Sequence, residues 1–250
     1  TLPFHPEVRR WFHDAVGSPT DVQLQAWREI AAGRHVLVTA PTGQGKTMAA
    51  FLWAVNQLIV RAWPPGSVRV LYVSPLKALN NDVRKNLRGP LDQLRARFAQ
   101  AHLPFPEISV LTRSGDTPGG ERRRMSLRPP EILITTPESL NLLLSSRSGR
   151  SMLTGIVTVI LDEIHAVVGT KRGTHLITAV DRLVPLSGEF QRIALSATVN
   201  PPERVAAFIG GFRMLGKGRD GQYEPRPVSI IRSRDAKAYE LQVVYPAAAD

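Results

Sequence analysis

The sequence predicts an α/β domain whose sheet is mostly parallel, with helices on both faces. Two observations carry this. Short apolar runs rich in β-branched residues alternate with helical patterns along most of the chain, the order that builds parallel crossovers. Strand after strand also ends in a cluster of polar residues just before a helix begins. In open parallel sheets the ligand lies outside the carboxyl ends of the strands, so these clusters should share one edge. With 250 residues, 43% of them hydrophobic, the chain can bury one sizeable core.

The elements follow in order. Pro6 to Val16 reads as a helix with Val8, Trp11, Phe12 and Ala15 on one face, ended by Gly17. Pro19 to Gln23 opens a second helix. Thr20 suits its N-cap, and Gln23, three places on, completes a capping box. A Gln amide also donates and accepts at once, so Gln23 equally suits the N6 and N7 edge of adenine. Local sequence favours the cap; the loop that follows favours the nucleotide.

That loop is Ala40 to Thr47, between the apolar run Val36–Val38 and a helix over Met48–Val60. Strand, glycine loop and helix in that order make a phosphate-binding loop. Gly43 and Gly45 let backbone N–H groups turn inward, with Thr42 before them and Gln44 between them, and the helix start adds its positive end. Lys46 would reach the β- and γ-phosphates, and the Thr47 hydroxyl would ligate Mg²⁺. Ala40 stands where a first glycine is usual.

Further strands are expected over Val68–Val73, Ile108–Thr112, Glu131–Thr135, Val157–Leu161, Gln191–Leu195 and Val228–Ile231. Helices are expected through Asp82–Leu87, Leu91–Gln100, Glu121–Met125 and Pro201–Gly211, with Leu241–Tyr245 leaving the domain.

Composition bounds the rest. There is no Cys, which excludes a disulfide framework and thiolate metal sites and suits a cytoplasmic protein. No apolar run is long enough to span a bilayer, so no membrane role is expected. The formal charge of +11 and pI near 10.8 favour a polyanionic partner, although an arginine-rich proteome gives the same sum.

The chemistry lies at the strand ends. Asp162 and Glu163 follow Val159–Leu161, and paired carboxylates there are costly unless something positive is bound. Asp162 would hold Mg²⁺ with Thr47, and Glu163 would deprotonate the attacking water. His165 either links this site to Ser196-Ala197-Thr198 or is a packed structural residue. Ser74-Pro75-Leu76-Lys77 and Thr135-Thr136-Pro137-Glu138 offer hydroxyls, helix starts and one Lys for phosphodiester contacts, or ordinary helix caps. Arg122, Arg123 and Arg124 suit the same groove or a solvated helix face.

Taken together, Pro19–Gln23, Ala40–Thr47, Ser74–Leu79, Thr135–Leu140, Asp162–His165 and Ser196–Thr198 resemble the ordered motifs of superfamily 2 helicases. Phe4-His5-Pro6, Trp11-Phe12, Arg113–Thr117 and Gly169–His175 resemble the large helicase-related (Lhr) family, and Ser148–Leu153 leans toward its ligase-associated branch. Gln44 and Ser114 depart from that pattern, where Ser and Thr are usual.

The resemblance implies a RecA-like P-loop NTPase domain over 1–235 and a linker over 236–250 toward a second such domain. It implies ATP with Mg²⁺ as cofactors and 3′ to 5′ translocation on single-stranded DNA, with unwinding of DNA or RNA–DNA duplexes. Phe4 would stack on adenine, with Trp11 or Phe12 as alternatives. Lys77, Arg113, Thr117 and Thr136 would touch the DNA, and Ser196–Thr198 would couple hydrolysis to domain movement. Nothing after Thr198 resembles the second domain's motifs. A nucleotide-dependent binding module without turnover, and an RNA helicase of similar core, stay open as alternatives.

Overall fold

In the computed structural model the described residues are 3–41, 43–216 and 221–233; of residues 77–81 only the backbone is described. Thr42 and the expected linker at 236–250, with Leu241–Tyr245, lie outside them.

The strands are β1 (His35–Thr39), β2 (Val70–Val73), β3 (Val110–Arg113), β4 (Ile132–Thr135), β5 (Thr158–Leu161), β6 (Gln191–Ser196), β7 (Phe212–Leu215), β8 (Gln222–Pro225) and β9 (Val228–Arg232). Seven of them form one sheet in the order β3-β4-β2-β5-β6-β1-β9, and every neighbouring pair runs parallel. Most of their buried residues are aliphatic, as strands covered on both faces require, with Thr39, Tyr72, Arg113, Thr135, Thr158, Arg192 and Ser196 as the exceptions.

One face carries α1 (Pro6–Ala15), α2 (Asp21–Ala31), α3 (Lys46–Ile59) and α4 (Lys77–Gln100) over Val36, Val38, Val70, Tyr72, Ile134 and Ile160. The other carries α6 (Pro137–Ser145), α7 (Arg147–Met152), α8 (Lys171–Asp181) and α10 (Pro202–Gly210) over Leu37, Leu71, Val73, Leu133 and Leu161. A helix α5 (Gly119–Leu127) connects β3 to β4, and a short α9 (Val184–Ser187) precedes β6.

In α1 the residues Val8, Trp11 and Phe12 are buried as the periodicity predicts, whereas Ala15 is exposed in the last turn. The two helices expected around Pro90 are one, α4. Proline removes a hydrogen bond and crowds the preceding turn. Here Val83, Leu87, Leu91, Leu94 and Phe98 continue one buried stripe through it, and that packing overrides the local break.

The segment Ser148–Leu153 falls on α7. Its helix is capped by Ser146, and a Cβ on Gly149 would sit 2.2 Å from the Leu143 carbonyl, so local packing accounts for the glycine. Strands β7 and β8 pair as an antiparallel hairpin outside the main sheet. No strand was expected there, because most side chains of both strands are exposed and no burial alternation marks them.

Candidate functional site

The strand order divides the carboxyl edge in two. Neighbours β5, β6 and β1 end in Asp162-Glu163, Ser196–Thr198 and the Ala40–Thr47 loop. Neighbours β3, β4 and β2 end in Arg113–Thr117, Thr135–Glu138 and Ser74–Lys77. The halves meet where β2 pairs with β5. Hollows of about 930 and 430 Å³, lined by Ser109, Glu131 and by His35, Thr158 respectively, lie instead by the amino ends of the strands.

In the glycine loop, Gly43 (φ 83°) and Gly45 (φ 71°) are left-handed, which favours glycine. A Cβ on Gly45 would also lie 2.3 Å from Gln23 Nε2, so the Gln23 amide would have to move. Lys46 begins α3, and its Nζ donates to the carbonyls of Ala40 at 2.5 Å and Pro41 at 2.8 Å. Burial lowers the Lys46 pKa, while Glu163 and Asp162 act to raise it, so both carboxylates sit within electrostatic reach of the ammonium. Thr47 is half-buried in the first turn, and Gln44 Oε1 is buried without a protein partner.

Both readings of Gln23 meet at one side chain. Its N–H donates to Thr20 Oγ1 at 3.2 Å, and its Oε1 accepts from Thr20 N at 3.0 Å, completing the capping box. Its Nε2 donates to the Gly45 carbonyl at 3.3 Å, which ties the cap to the glycine loop. The upstream aromatics are core residues. Phe4 is 7% exposed and packs edge-on against Trp27, with centroids 4.9 Å apart. Trp11 and Phe12 are buried too, so none of the three presents an open face to a base in this structure.

Asp162 is buried, and burial raises its pKa; hydrogen bonds from Tyr72 and the Glu163 backbone pull it back. The Tyr72 hydroxyl donates to its Oδ2, and the Glu163 amide donates to its Oδ1 at 2.8 Å. Each oxygen keeps lone-pair capacity. No cluster of three His, Cys, Asp or Glu suited to a metal exists among the described residues. One carboxylate and one hydroxyl are nevertheless the donor set that suits Mg²⁺, which is held by few protein oxygens plus substrate phosphates. Glu163 adopts a left-handed backbone, φ 49° and ψ 38°, a strain on the order of 1–3 kcal/mol for such a residue.

His165 Nδ1 accepts the Ala197 amide at 3.2 Å and lies 3.3 Å from Glu163 Oε2. Ser196 Oγ is buried without a partner, and Thr198 is exposed.

On the other half, Ser74 Oγ accepts from the Leu76 amide at 3.3 Å, Pro75 is buried, and Leu76 is exposed. Lys77 is the first residue of α4. Thr136 caps α6 through the Ser139 amide, followed by Pro137, and Glu138 pairs with Arg172 at 2.7 Å. Thr135 Oγ1 is buried and donates to the Arg113 carbonyl at 2.7 Å, so that hydroxyl serves the sheet. Arg113 is itself buried and donates to Ser114 O at 2.6 Å, while Thr117 Oγ1 accepts from Ser114 N at 2.9 Å. Arg122 folds over the same loop, donating to the carbonyls of Thr117 at 2.6 Å and Gly115 at 2.7 Å; Arg123 and Arg124 are exposed.

Sequence reading missed Tyr72. The signal was there: a phenol within the buried run Val70–Val73 needs a polar partner.

Among the described residues no helix is long and apolar enough to cross a membrane. A family profile described as DEAD/DEAH box helicase matches residues 20–205. The chain is 48% identical over 246 residues to a Mycolicibacterium smegmatis protein called "Lhr helicase/ probable uracil glycosylase", covering 97% of this chain and 15% of that protein. It is 46% identical over 217 residues to "ATP-dependent helicase Lhr-Core protein 2" of Thermococcus barophilus, covering 86% of this chain and 25% of that protein. Among solved structures it matches the Mycobacterium smegmatis helicase Lhr bound to ssDNA and AMP-PNP, with a TM-score of 0.84 and 47% identity. That match covers 95% of this chain and 28% of the other. The chain thus spans a quarter or less of these two curated relatives, and the resemblance to Lhr read from its motifs is borne out. So is the expected RecA-like sheet. With the profile matched across most of its length, the chain belongs to the DEAD/DEAH box helicase family.

Proposed function

We propose that this chain is the ATP-binding RecA-like domain of a cytoplasmic DNA helicase or translocase. It binds ATP with Mg²⁺ and single-stranded DNA. With a second RecA-like domain it couples hydrolysis to 3′ to 5′ movement and unwinding of DNA or RNA–DNA duplexes. The observation that carries this reading is the division of one sheet edge into a β5-β6-β1 half and a β3-β4-β2 half that touch. The solved relative bound to ssDNA and AMP-PNP supports both ligand classes and favours DNA.

In this reading Lys46 exchanges its contacts with the Ala40 and Pro41 carbonyls for phosphate oxygens. The loop amides and the start of α3 add partial positive charge. Gln23 reads the adenine edge, and Phe4 backs the helix that carries it through Trp27. Thr47 and Asp162 hold Mg²⁺, which supplies charge neutralisation at the phosphates. Glu163, turned out by its left-handed backbone, takes the proton of the attacking water. His165 carries the state of this site to Ala197 and Ser196. Lys77 and the amino ends of α4 and α6 face the DNA backbone. Arg113, Thr117 and Arg122 shape the adjoining loop from within.

The test is phosphate release, with and without single-stranded DNA, by a chain extended through a second RecA-like domain. DNA-stimulated turnover is expected. Glu163→Gln should keep nucleotide affinity and lose about a hundredfold or more of that turnover. An unchanged rate in the variant removes Glu163 from the proposed role.

A further inference from the structure

Tyr72 is fully buried in β2, yet its two ends reach different parts of the nucleotide site. The ring stacks on Phe51, with centroids 5.3 Å apart and planes at 28°. Phe51 belongs to α3, the helix that begins with Lys46 and Thr47. The hydroxyl donates to Asp162 Oδ2, across the β2–β5 pairing in which Tyr72 stands opposite Ile160. Tyr72 therefore joins the two residues read here as Mg²⁺ ligands, Thr47 through its helix and Asp162 directly. Its own strand runs on to Ser74 at the nucleic-acid half.

Packing alone does not explain the phenol. Phenylalanine would fill the same volume and stack on Phe51 as well, without a polar atom to satisfy. A carboxylate at a strand end turns about a broad torsion, so its plane is set by what holds its oxygens. The Glu163 amide holds Oδ1 as part of the main chain. Tyr72 is the side chain that holds Oδ2.

We propose that Tyr72 is the positioning residue for Asp162, fixing the carboxylate plane relative to the Thr47 end of α3 so that Mg²⁺ on the nucleotide is met in the right orientation. This rests on the reading of Asp162 as the metal-holding carboxylate. Groups that orient a metal ligand typically change metal affinity about 10- to 100-fold when removed.

The test is Tyr72→Phe, with Asp162→Asn as reference, in this 250-residue chain. Binding of fluorescently labelled ADP is followed as Mg²⁺ is titrated, and again in EDTA, below the melting temperature of all three proteins. The EDTA affinity reports whether the glycine loop is intact in the same sample. Tyr72→Phe should keep the EDTA affinity within about twofold while raising the Mg²⁺ concentration for half-maximal enhancement about tenfold or more. If Asp162→Asn shifts the Mg²⁺ requirement and Tyr72→Phe does not, the positioning role is overturned and the metal reading stands. If neither shifts it, the metal reading falls and takes the positioning role with it. Equal loss of affinity with and without Mg²⁺ would assign Tyr72 to packing and overturn the proposal.

Discussion

The ring nitrogen Nδ1 of His165 accepts the backbone N–H of Ala197 at 3.2 Å, joining the turn after β5 to the end of β6. The same nitrogen is 3.3 Å from Glu163. A shift of β6 relative to β5 would therefore be felt at Glu163 through one imidazole.

His165→Ala should leave nucleotide affinity within about twofold, because among the described residues the ring bonds to Ala197 and meets Glu163 rather than Lys46 or the glycine loop. In a chain extended through a second RecA-like domain it should reduce DNA stimulation of phosphate release about tenfold, within the usual range of coupling between sites. Stimulation equal to wild type would show that the contact carries no coupling.

Lys77 heads α4, where a cation opposes the helix dipole. Lys77→Ala should thus leave thermal stability unchanged or slightly raised while weakening single-stranded DNA binding. The slope of log affinity against log salt should fall by about 0.7, one phosphate's share for single strands. An unchanged slope would place Lys77 off the DNA path. Arg113→Ala is expected to act differently, because that guanidinium is buried against the Ser114 carbonyl. Its loss should lower the melting temperature as well as DNA affinity, and differential scanning fluorimetry reads the first effect.

His35 starts β1, far from the nucleotide edge, and its Nδ1 accepts the Arg192 amide at 3.1 Å. Burial, then the Arg192 and Arg226 guanidinium groups, push its pKa down to about 4. The folded state therefore resists protonation that the unfolded chain accepts near its ordinary value of 6.5. Stability is complete above about 6.5 and is lost as pH falls toward 4. Because the ring is partly exposed, the loss is discounted to about 1–2 kcal/mol. Urea midpoints at pH 7 and pH 4.5 should fall further for wild type than for His35→Gln; equal falls would contradict this.

What was legible in the sequence was local. Each strand-end cluster sits beside the run that produces it, so the glycine loop, the acidic pair and the Ser196–Thr198 turn could be placed within a residue or two. The order β3-β4-β2-β5-β6-β1-β9 is not local, and only that order shows why the two groups of clusters fall into adjoining halves. Tyr72 was hidden for the same reason: its partner, Asp162, is 90 positions away in sequence. The helices expected over Asp82–Leu87 and Leu91–Gln100 are one because the buried stripe of α4 outweighs the hydrogen bond lost at Pro90. The packing of Phe4 against Trp27 is likewise non-local: sequence shows an aromatic and not the ring it meets.

The central claim is that Lys46 and the glycine loop form an ATP site completed by Asp162 and Mg²⁺. The most direct measurement is calorimetric titration of this chain, wild type and Lys46→Ala, with a non-hydrolysable ATP analogue in Mg²⁺. Hydrogen bonds to a charged group are worth about 1.5–3 kcal/mol, so the variant should bind on the order of ten- to a hundredfold more weakly, or not detectably. Affinity in Lys46→Ala equal to wild type would contradict the account.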